Sequence, residues 1–186
     1  MEQTLQVAHA LFAERGYGPV TMDEVAAAVG VTKPLLYNYF GNKERLYLAC
    51  MEPGGDALVA AVVGAVERTS TPDAALRAGI HAFFDFVDQD RGSWRVLFDE
   101  TLPTEGGIAR RVSEYRARIA DLVAAALLAQ PSVSSRTQVE ALSIALLGAA
   151  EALVRWWLRT ESLTASTTAE LLIQTVEPGL ARSARS

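Results

Sequence analysis

Two groups of side chains in this sequence have the types and spacing to do chemistry. The first is carboxylates: the pairs Asp85/Asp88 and Asp99/Glu100 could be imagined as a general acid and base, but both fit the solvated faces of helices more simply. The sequence has no nucleophile elbow, phosphate-binding loop or HExxH pattern, and no Cys/His cluster with metal-ligand spacing. We therefore expect no catalytic residue, no metal and no cofactor, and predict that the protein is not an enzyme.

The second group is hydrogen-bonding side chains between Thr32 and Tyr39. Thr32 and Lys33 stand at the start of a predicted helix, where free backbone amides attract phosphate. Tyr37 and Tyr39 flank Asn38, and a small subdomain cannot easily bury two tyrosines together with their hydroxyls. We interpret the tyrosines as donors to phosphate and Asn38 as a donor to a base or backbone edge. The alternative is that the aromatic side chains belong to the core.

Helical periodicity explains how these side chains would be positioned. Apolar residues recur at spacings of three and four between Gly and Pro punctuation, and no segment alternates with period two for long. We predict an all-α protein that begins with helices at 4–15, 22–29 and 33–40. Residues 21–24, Thr-Met-Asp-Glu, form a capping box for the second helix, and Thr32 caps the third. Two short helices joined by a turn at Gly30 describe a helix-turn-helix.

The rest of the chain adds six helices, for about nine in all. They are predicted at about 43–68, 72–89, 93–101, 105–130, 135–160 and 164–177, with a frayed tail from Pro178. Pro53-Gly54-Gly55 should break or kink the fourth helix, which resumes at Asp56. We interpret the interruption either as a hinge within the fourth helix or as a break that shortens the lever arm that this helix forms.

Composition limits the class of protein. The net charge is −5, which argues against a general polyanion binder but not against a small local contact with DNA. Cys50 is the one cysteine and is expected to be a small core residue. No signal peptide is visible, and the longest apolar stretch, 141–154, is interrupted by Glu151 and is shorter than a bilayer requires. We expect a cytoplasmic protein with no membrane segment.

Four sequence blocks identify a family resemblance. They are AHALFAERGY (8–17), TMDEVA (21–26), GVTKPLLYNYF (30–40) and NKERL (42–46). Together, in this order and spacing, they resemble the DNA-binding domain of the TetR family of transcriptional regulators. The resemblance implies a helix-turn-helix domain over residues 1–46 and a ligand-binding and dimerisation domain over 47–186. It also implies a repressor that binds a pseudo-palindromic operator as a dimer and is released by a small molecule.

The resemblance also implies which residues contact DNA. These are Thr21 or Met22, Thr32, Lys33, Tyr37, Asn38, Tyr39 and Lys43. Lys43 opens the fourth helix, where family members contact a phosphate; the alternative is an ordinary solvated lysine.

The charge of the first fifty residues departs from the family pattern. They carry four cationic side chains against five carboxylates, a net charge of −1, and only Met1-Glu2-Gln3 precedes the match, where relatives often have a basic arm. Two explanations stay open: either tyrosine, amide and helix-end contacts supply the affinity, or the start codon is assigned late and an arm is missing. The alternative function is a helical interaction or sensing module that has lost DNA binding.

The eighth helix predicts a dimer. It is apolar nearly all round, so it must be covered on more than one side. We assign its small residues to the dimer seam and its bulky ones to the protomer core, and expect the ninth helix, with Leu171, Leu172 and Val176, to complete the interface. The small-residue line is Ala141, Ala145, Gly148 and Ala152; the bulky line is Leu142, Leu146, Leu153 and Trp157.

Aromatic residues with polar neighbours on the fifth to eighth helices could line a ligand cavity. The candidates are His81, Phe84, Trp94, Phe98, Tyr115, Arg116 and Glu151. Each could instead belong to the core or the surface, and Glu151 could pair with Arg155, four residues on.

Overall fold

The structure is a computed structural model that describes residues 1–129, 135–160 and 162–183, with side chains to residue 178. Within these ranges the chain forms nine α-helices and no β-strand, so the all-α prediction is confirmed. The helices are α1 Glu2–Arg15, α2 Met22–Val29, α3 Lys33–Phe40, α4 Lys43–Glu67, α5 Pro72–Gln89, α6 Arg91–Leu97, α7 Gly106–Leu128, α8 Arg136–Thr160 and α9 Ala165–Ser183. The predicted end of the seventh helix at Gln130 lies outside the described residues.

Local signals define the first three helices. The capping box of α2 is confirmed: the Glu24 backbone N–H donates to the Thr21 hydroxyl, and the Thr21 backbone N–H donates to the Glu24 carboxylate. Thr32 occupies the N-cap position of α3, but its side chain makes no capping hydrogen bond, so that part of the prediction is wrong. Gly30 lies between the two helices in the left-handed region, with φ 78°, which glycine adopts at little cost.

The described chain divides into two compact units. The first comprises residues 1–57 and 90–115 and contains α1–α3, α6, the first part of α4 and the start of α7. In it α1 packs against α6 and α2, and α2 packs against α3. The second comprises residues 58–89 and those from 116 onward; in it α5 packs mainly against α9, and α8 packs against α9 and α5.

The predicted break in the fourth helix is wrong. α4 runs without interruption from Lys43 to Glu67, with Pro53 inside it. A Cβ at Gly54 would lie 2.7 Å from the Ser93 side chain, and one at Gly55 would lie 2.3 Å from the Tyr115 ring. The two glycines therefore allow α6 and α7 to pack closely on α4.

The bounds of α6 and the end of α9 also differ from the predictions. α6 begins at Arg91, because the Asp90 carboxylate caps it by accepting the Ser93 backbone N–H at 2.9 Å, and it ends at Leu97. α9 continues through Pro178 to Ser183, where a frayed tail was expected. By length and composition alone, α4 and α8 could each cross a membrane, a property shared by core helices of water-soluble proteins.

Candidate functional site

The helix-turn-helix is held by a small apolar core and a glycine turn. Val25 on α2 and Leu36 on α3 are fully buried. The Gly30 N–H donates to the carbonyls of Ala26 and Ala27, at 3.0 and 3.2 Å, which fixes the turn between the helices. α3 is thus anchored through Leu36, while most of its other side chains face solvent.

Five polar side chains at the start and along the outer surface of α3 are exposed, and we call them the recognition row. Tyr37 is 40% exposed and Tyr39 59% exposed, more than aromatic side chains of a core would be. The interpretation of both tyrosines as core residues therefore does not fit the structure. The recognition row consists of Thr32, Lys33, Tyr37, Asn38 and Tyr39.

Thr21 and Met22, the two predicted DNA contacts at the start of α2, differ in their exposure to solvent. Met22 is only 6% exposed and packs in the core, so its side chain is not available to a partner. Thr21 is exposed, but its hydroxyl accepts the Glu24 N–H and donates to the Glu24 carboxylate at 2.9 Å. Met22 is therefore excluded from the predicted DNA contacts, and the Thr21 hydroxyl is used to cap α2.

Lys43 is an ordered lysine at the start of α4. Its Nζ donates to the Gly18 carbonyl oxygen at 3.0 Å and lies 4.4 Å from the centre of the Tyr17 ring. Partial burial lowers the pKa of Lys43, opposed by the nearby Glu24 carboxylate. The Tyr17 backbone N–H in turn donates to the Asp99 carboxylate. These contacts fix the ammonium group, which keeps further N–H donors for a phosphate.

The other cations of α1 to α3 are paired within the protein. Lys33 Nζ lies 2.8 and 2.9 Å from the two Asp23 carboxylate oxygens, and Arg15 lies 2.9 Å from Glu24. The hydrogen bond that Lys33 donates to Asp23, and then the charge of Asp23, raise the pKa of Lys33. The recognition row thus presents hydroxyl and amide groups with little free positive charge.

A cavity lies within the second unit, between α4, α5, α7, α8 and α9. Its space is about 500 Å³, counting the open mouth. Every lining residue is apolar or glycine, so the wall carries no polar side chain. The lining consists of Val62, Val66, Ala75, Leu76, Gly79, Ile80, Phe83, Phe84, Ile119, Leu122, Val123, Ala126, Leu146, Leu147, Ala150 and Leu172.

Of the seven predicted ligand residues, only Phe84 lines this cavity. The His81 ring lies 2.9 Å from Glu170, and Arg116 makes two 2.8 Å hydrogen bonds to the buried carboxylate of Glu151. These polar side chains are therefore engaged by carboxylates of α8 and α9 and do not line the cavity.

The three remaining predicted ligand residues belong to the first unit. The rings of Trp94 and Phe98 lie 4.1 Å apart, and the Tyr115 hydroxyl donates to the Glu52 carbonyl at 3.1 Å. The structure therefore does not bring the seven predicted residues together at one site. Sequence reasoning looked for polar anchors and so passed over the aliphatic residues that form the cavity wall.

One face of α8 is left uncovered in the protomer. Ile144 is 62% exposed and Trp156 39% exposed, and the small residues of the predicted seam are exposed too. A Cβ at Gly148 would meet nothing within 4 Å. Leu171 on α9 is also exposed, whereas Leu172 is buried in the protomer core.

Comparison with known proteins shows the family to which this arrangement belongs. The family model described as bacterial regulatory proteins, tetR family, matches residues 5–50, and the tetracyclin repressor-like C-terminal domain matches residues 72–177. The chain belongs to the TetR family. It is therefore a ligand-responsive, DNA-binding transcriptional regulator and not an enzyme, as its sequence predicted.

Individual relatives and solved structures match most of the chain. The HTH-type transcriptional activator FasR of Mycolicibacterium smegmatis is 33% identical over 159 residues, covering 86% of this chain and 72% of FasR. A TetR-like transcriptional regulator from Rhodococcus sp. RHA1 has a TM-score of 0.81 and 31% identity, covering 97% and 94% of the two chains. FadR from Bacillus subtilis, solved with stearoyl-CoA, shares the fold, with a TM-score of 0.75, 14% identity and coverage of 93% and 95%.

Proposed function

We propose that this TetR-family regulator is a cytoplasmic homodimer that binds double-stranded operator DNA through the recognition row and Lys43. The proposal assigns DNA binding to residues 1–46, and ligand binding and dimerisation to residues 47–186. A small molecule with an apolar chain would occupy the cavity and release the protein from the operator. The observation that carries the proposal is the exposed polar and aromatic surface of α3.

Hydrogen bonds dominate the proposed DNA contact. Phosphate oxygens accept hydrogen bonds from hydroxyl, amide and ammonium groups, and such contacts position a protein on the duplex. Tyr39 and Lys43 are proposed to bind phosphate, and Asn38 to reach a base or backbone edge. Because Lys33 is already paired with Asp23, bulk charge contributes little.

A dimer through α8 and α9 would cover the uncovered face. Ile144, Trp156 and Leu171 are large apolar side chains exposed in the protomer, and the small residues beside them permit a close helix approach. Two protomers related by a two-fold axis would present two copies of α3 to the two half-sites of a pseudo-palindrome.

The cavity wall supports an apolar effector. A site without polar side chains on its wall gains affinity by taking apolar surface out of water, at roughly 25 cal/mol per Å². A hydrocarbon chain, such as that of a fatty acyl thioester, suits this wall, and FadR from Bacillus subtilis binds stearoyl-CoA. Release of the protein from DNA by the effector concerns only the binding equilibrium. It is compatible with repression, as the sequence predicted, and equally with activation, the role that the name of FasR gives to that relative.

DNA binding tests the proposed interface directly. A duplex selected from a random pool by the wild-type protein would be titrated with wild type, Tyr39→Phe and Lys43→Ala, with fluorescence anisotropy as the readout. Each variant loses a hydrogen bond to a charged group, so affinity should fall about tenfold for operator and non-operator duplexes alike. Lys43→Ala should also reduce the salt slope by about one.

Arg68→Ala is the matched control, because Arg68 is an exposed cation just beyond the other end of α4. It should bind the duplex like wild type. Unchanged affinity for both Tyr39→Phe and Lys43→Ala would show that the interface is placed on the wrong surface. Failure of the wild type to select any sequence would favour the interaction-module alternative.

A further inference from the structure

Asp23 and Lys33 form an ion pair across the helix-turn-helix. Asp23 lies in the first turn of α2, and Lys33 is the first residue of α3. The two carboxylate oxygens lie 2.8 and 2.9 Å from Lys33 Nζ, and both side chains are more than half exposed. The pair is therefore accessible to a competing anion from solvent.

Lys33 is the only cation between Thr21 and Phe40. A DNA phosphate can be neutralised by Lys33 only if the ammonium leaves Asp23 or shares its donors with it. The Lys33 ammonium also lies 5.9 Å from the centre of the Tyr37 ring, so it stays beside the recognition row while it is paired.

We propose that Asp23 is an intramolecular competitor of the DNA backbone, which holds Lys33 in the free protein and so restrains DNA binding. The inference rests on the proposed function, because it requires α3 to face DNA. Asp23 does not contact the DNA in this account; it acts through Lys33.

The competition has two consequences. A phosphate that takes Lys33 leaves the Asp23 carboxylate without its partner and close to the negative backbone, which costs binding free energy on any sequence. Breaking an internal pair also offsets part of the counterion release that a free lysine would give, so the dependence of binding on salt is shallower than for an unpaired cation. Asp23 therefore lowers affinity without reading sequence.

The test uses four full-length proteins in a double-mutant cycle: wild type, Asp23→Asn, Lys33→Gln and the double variant. Dissociation constants would be measured by anisotropy for an operator and a non-operator duplex at several salt concentrations. Asp23→Asn should tighten binding about two- to fivefold on both duplexes, the range expected for release of an exposed ion pair. It should also steepen the salt slope by up to about 0.9.

In the Lys33→Gln background, Asp23→Asn should have little effect, because there is no ammonium to release. Glu14→Gln is the matched control: it removes one negative charge from an exposed residue of α1 and should change affinity less than Asp23→Asn does. Circular dichroism of each variant checks that α2 stays folded.

Separate outcomes would overturn the two proposals. If Tyr39→Phe and Lys43→Ala both leave affinity unchanged, the proposed DNA interface is wrong. If those variants and Lys33→Gln weaken binding but Asp23→Asn does not strengthen it, the interface stands and competition by Asp23 is refuted. Equal tightening by Asp23→Asn with and without Lys33 would also refute it, because the effect would then be general charge repulsion.

Discussion

The Glu24 carboxylate holds the start of α2 through two partners. It accepts the Thr21 backbone N–H at 2.8 Å and lies 2.9 Å from Arg15 of α1. The backbone hydrogen bond from Thr21, the Thr21 hydroxyl and then Arg15 lower the pKa of Glu24 below its ordinary value. Each partner stabilises the ionised form of Glu24, so the contacts contribute most to folding stability when Glu24 is charged.

The first prediction concerns pH. Because the pKa of Glu24 is lower in the folded protein, its contribution to stability should be complete above the ordinary glutamate pKa of about 4.3 and be lost as pH falls through the lowered value. Glu24→Gln keeps the capping geometry but removes the charge. Urea unfolding should show Glu24→Gln less stable than wild type at pH 7, with the difference lost as pH falls through the lowered pKa of Glu24. A difference that does not depend on pH would contradict the assignment.

At this scale, sequence and structure agree where the interaction is local. The capping box joins residues three apart, so its pattern of types is sufficient to predict it. The Asp23–Lys33 pair joins residues ten apart across a turn, and only the angle between α2 and α3 brings them together. The sequence predicted the charges but not their pairing, and Met22, a contact implied only by the family resemblance, is buried in this chain.

At the scale of elements, α4 shows how packing overrides a local signal. Pro-Gly-Gly is typical of a turn, and the sequence predicted an interruption there. The structure keeps the helix because Gly54 and Gly55 lie against Ser93 and Tyr115, and the Tyr115 hydroxyl donates to the Glu52 carbonyl. Those partners are about 40 to 60 residues away in the chain, so no window of sequence contains them.

The second prediction compares two glycines of α4. Gly55→Ala would place a methyl group 2.3 Å from Tyr115 and should destabilise the protein by about 1–3 kcal/mol through overpacking. Gly64→Ala in the same helix meets only the end of Arg68 at 3.4 Å and should stabilise the protein by about 0.5–1 kcal/mol through helix propensity. Thermal and urea unfolding would measure both. If Gly55→Ala is tolerated like Gly64→Ala, close packing is not the reason for the glycine.

At the scale of the whole molecule, half of the residues are apolar, and some of them serve two features besides the packed core. Some line the cavity and others form the uncovered face of α8. The sequence predicted the seam, because small and bulky residues alternate in lines along one helix. It predicted a cavity on the fifth to eighth helices, but of the seven residues proposed to line it only Phe84 does so. The aliphatic residues of the wall could not be predicted, because their pattern in the sequence is the same in a packed core.

The third prediction concerns assembly. Gly148→Leu has room in the protomer, where nothing lies within 4 Å of an added Cβ, but should overpack a seam between two copies of α8 by about 1–3 kcal/mol. Sedimentation velocity should show a wild-type dimer at micromolar concentration and a shift towards monomer for the variant, with the Gly64→Ala protein as control. A monomeric wild type, or a variant that dimerises as well as wild type, would rule out this seam.

The fourth prediction concerns the cavity. Ala150→Leu adds three carbon atoms to its wall and should prevent an acyl chain from entering. Isothermal titration calorimetry with stearoyl-CoA should show binding to wild type and at least about tenfold weaker binding to the variant, in line with 1–3 kcal/mol of overpacking. Equal binding to both proteins would place the ligand elsewhere.

The most direct test of the central claim is the effect of an acyl-CoA on operator affinity. Anisotropy of the selected operator duplex would be followed with wild type and Ala150→Leu, with and without saturating stearoyl-CoA at one salt concentration. We predict that the ligand weakens the wild-type complex by about 5- to 150-fold, the usual range of coupling between sites, and leaves Ala150→Leu little changed. Stearoyl-CoA that binds the wild type without changing its operator affinity would contradict the account.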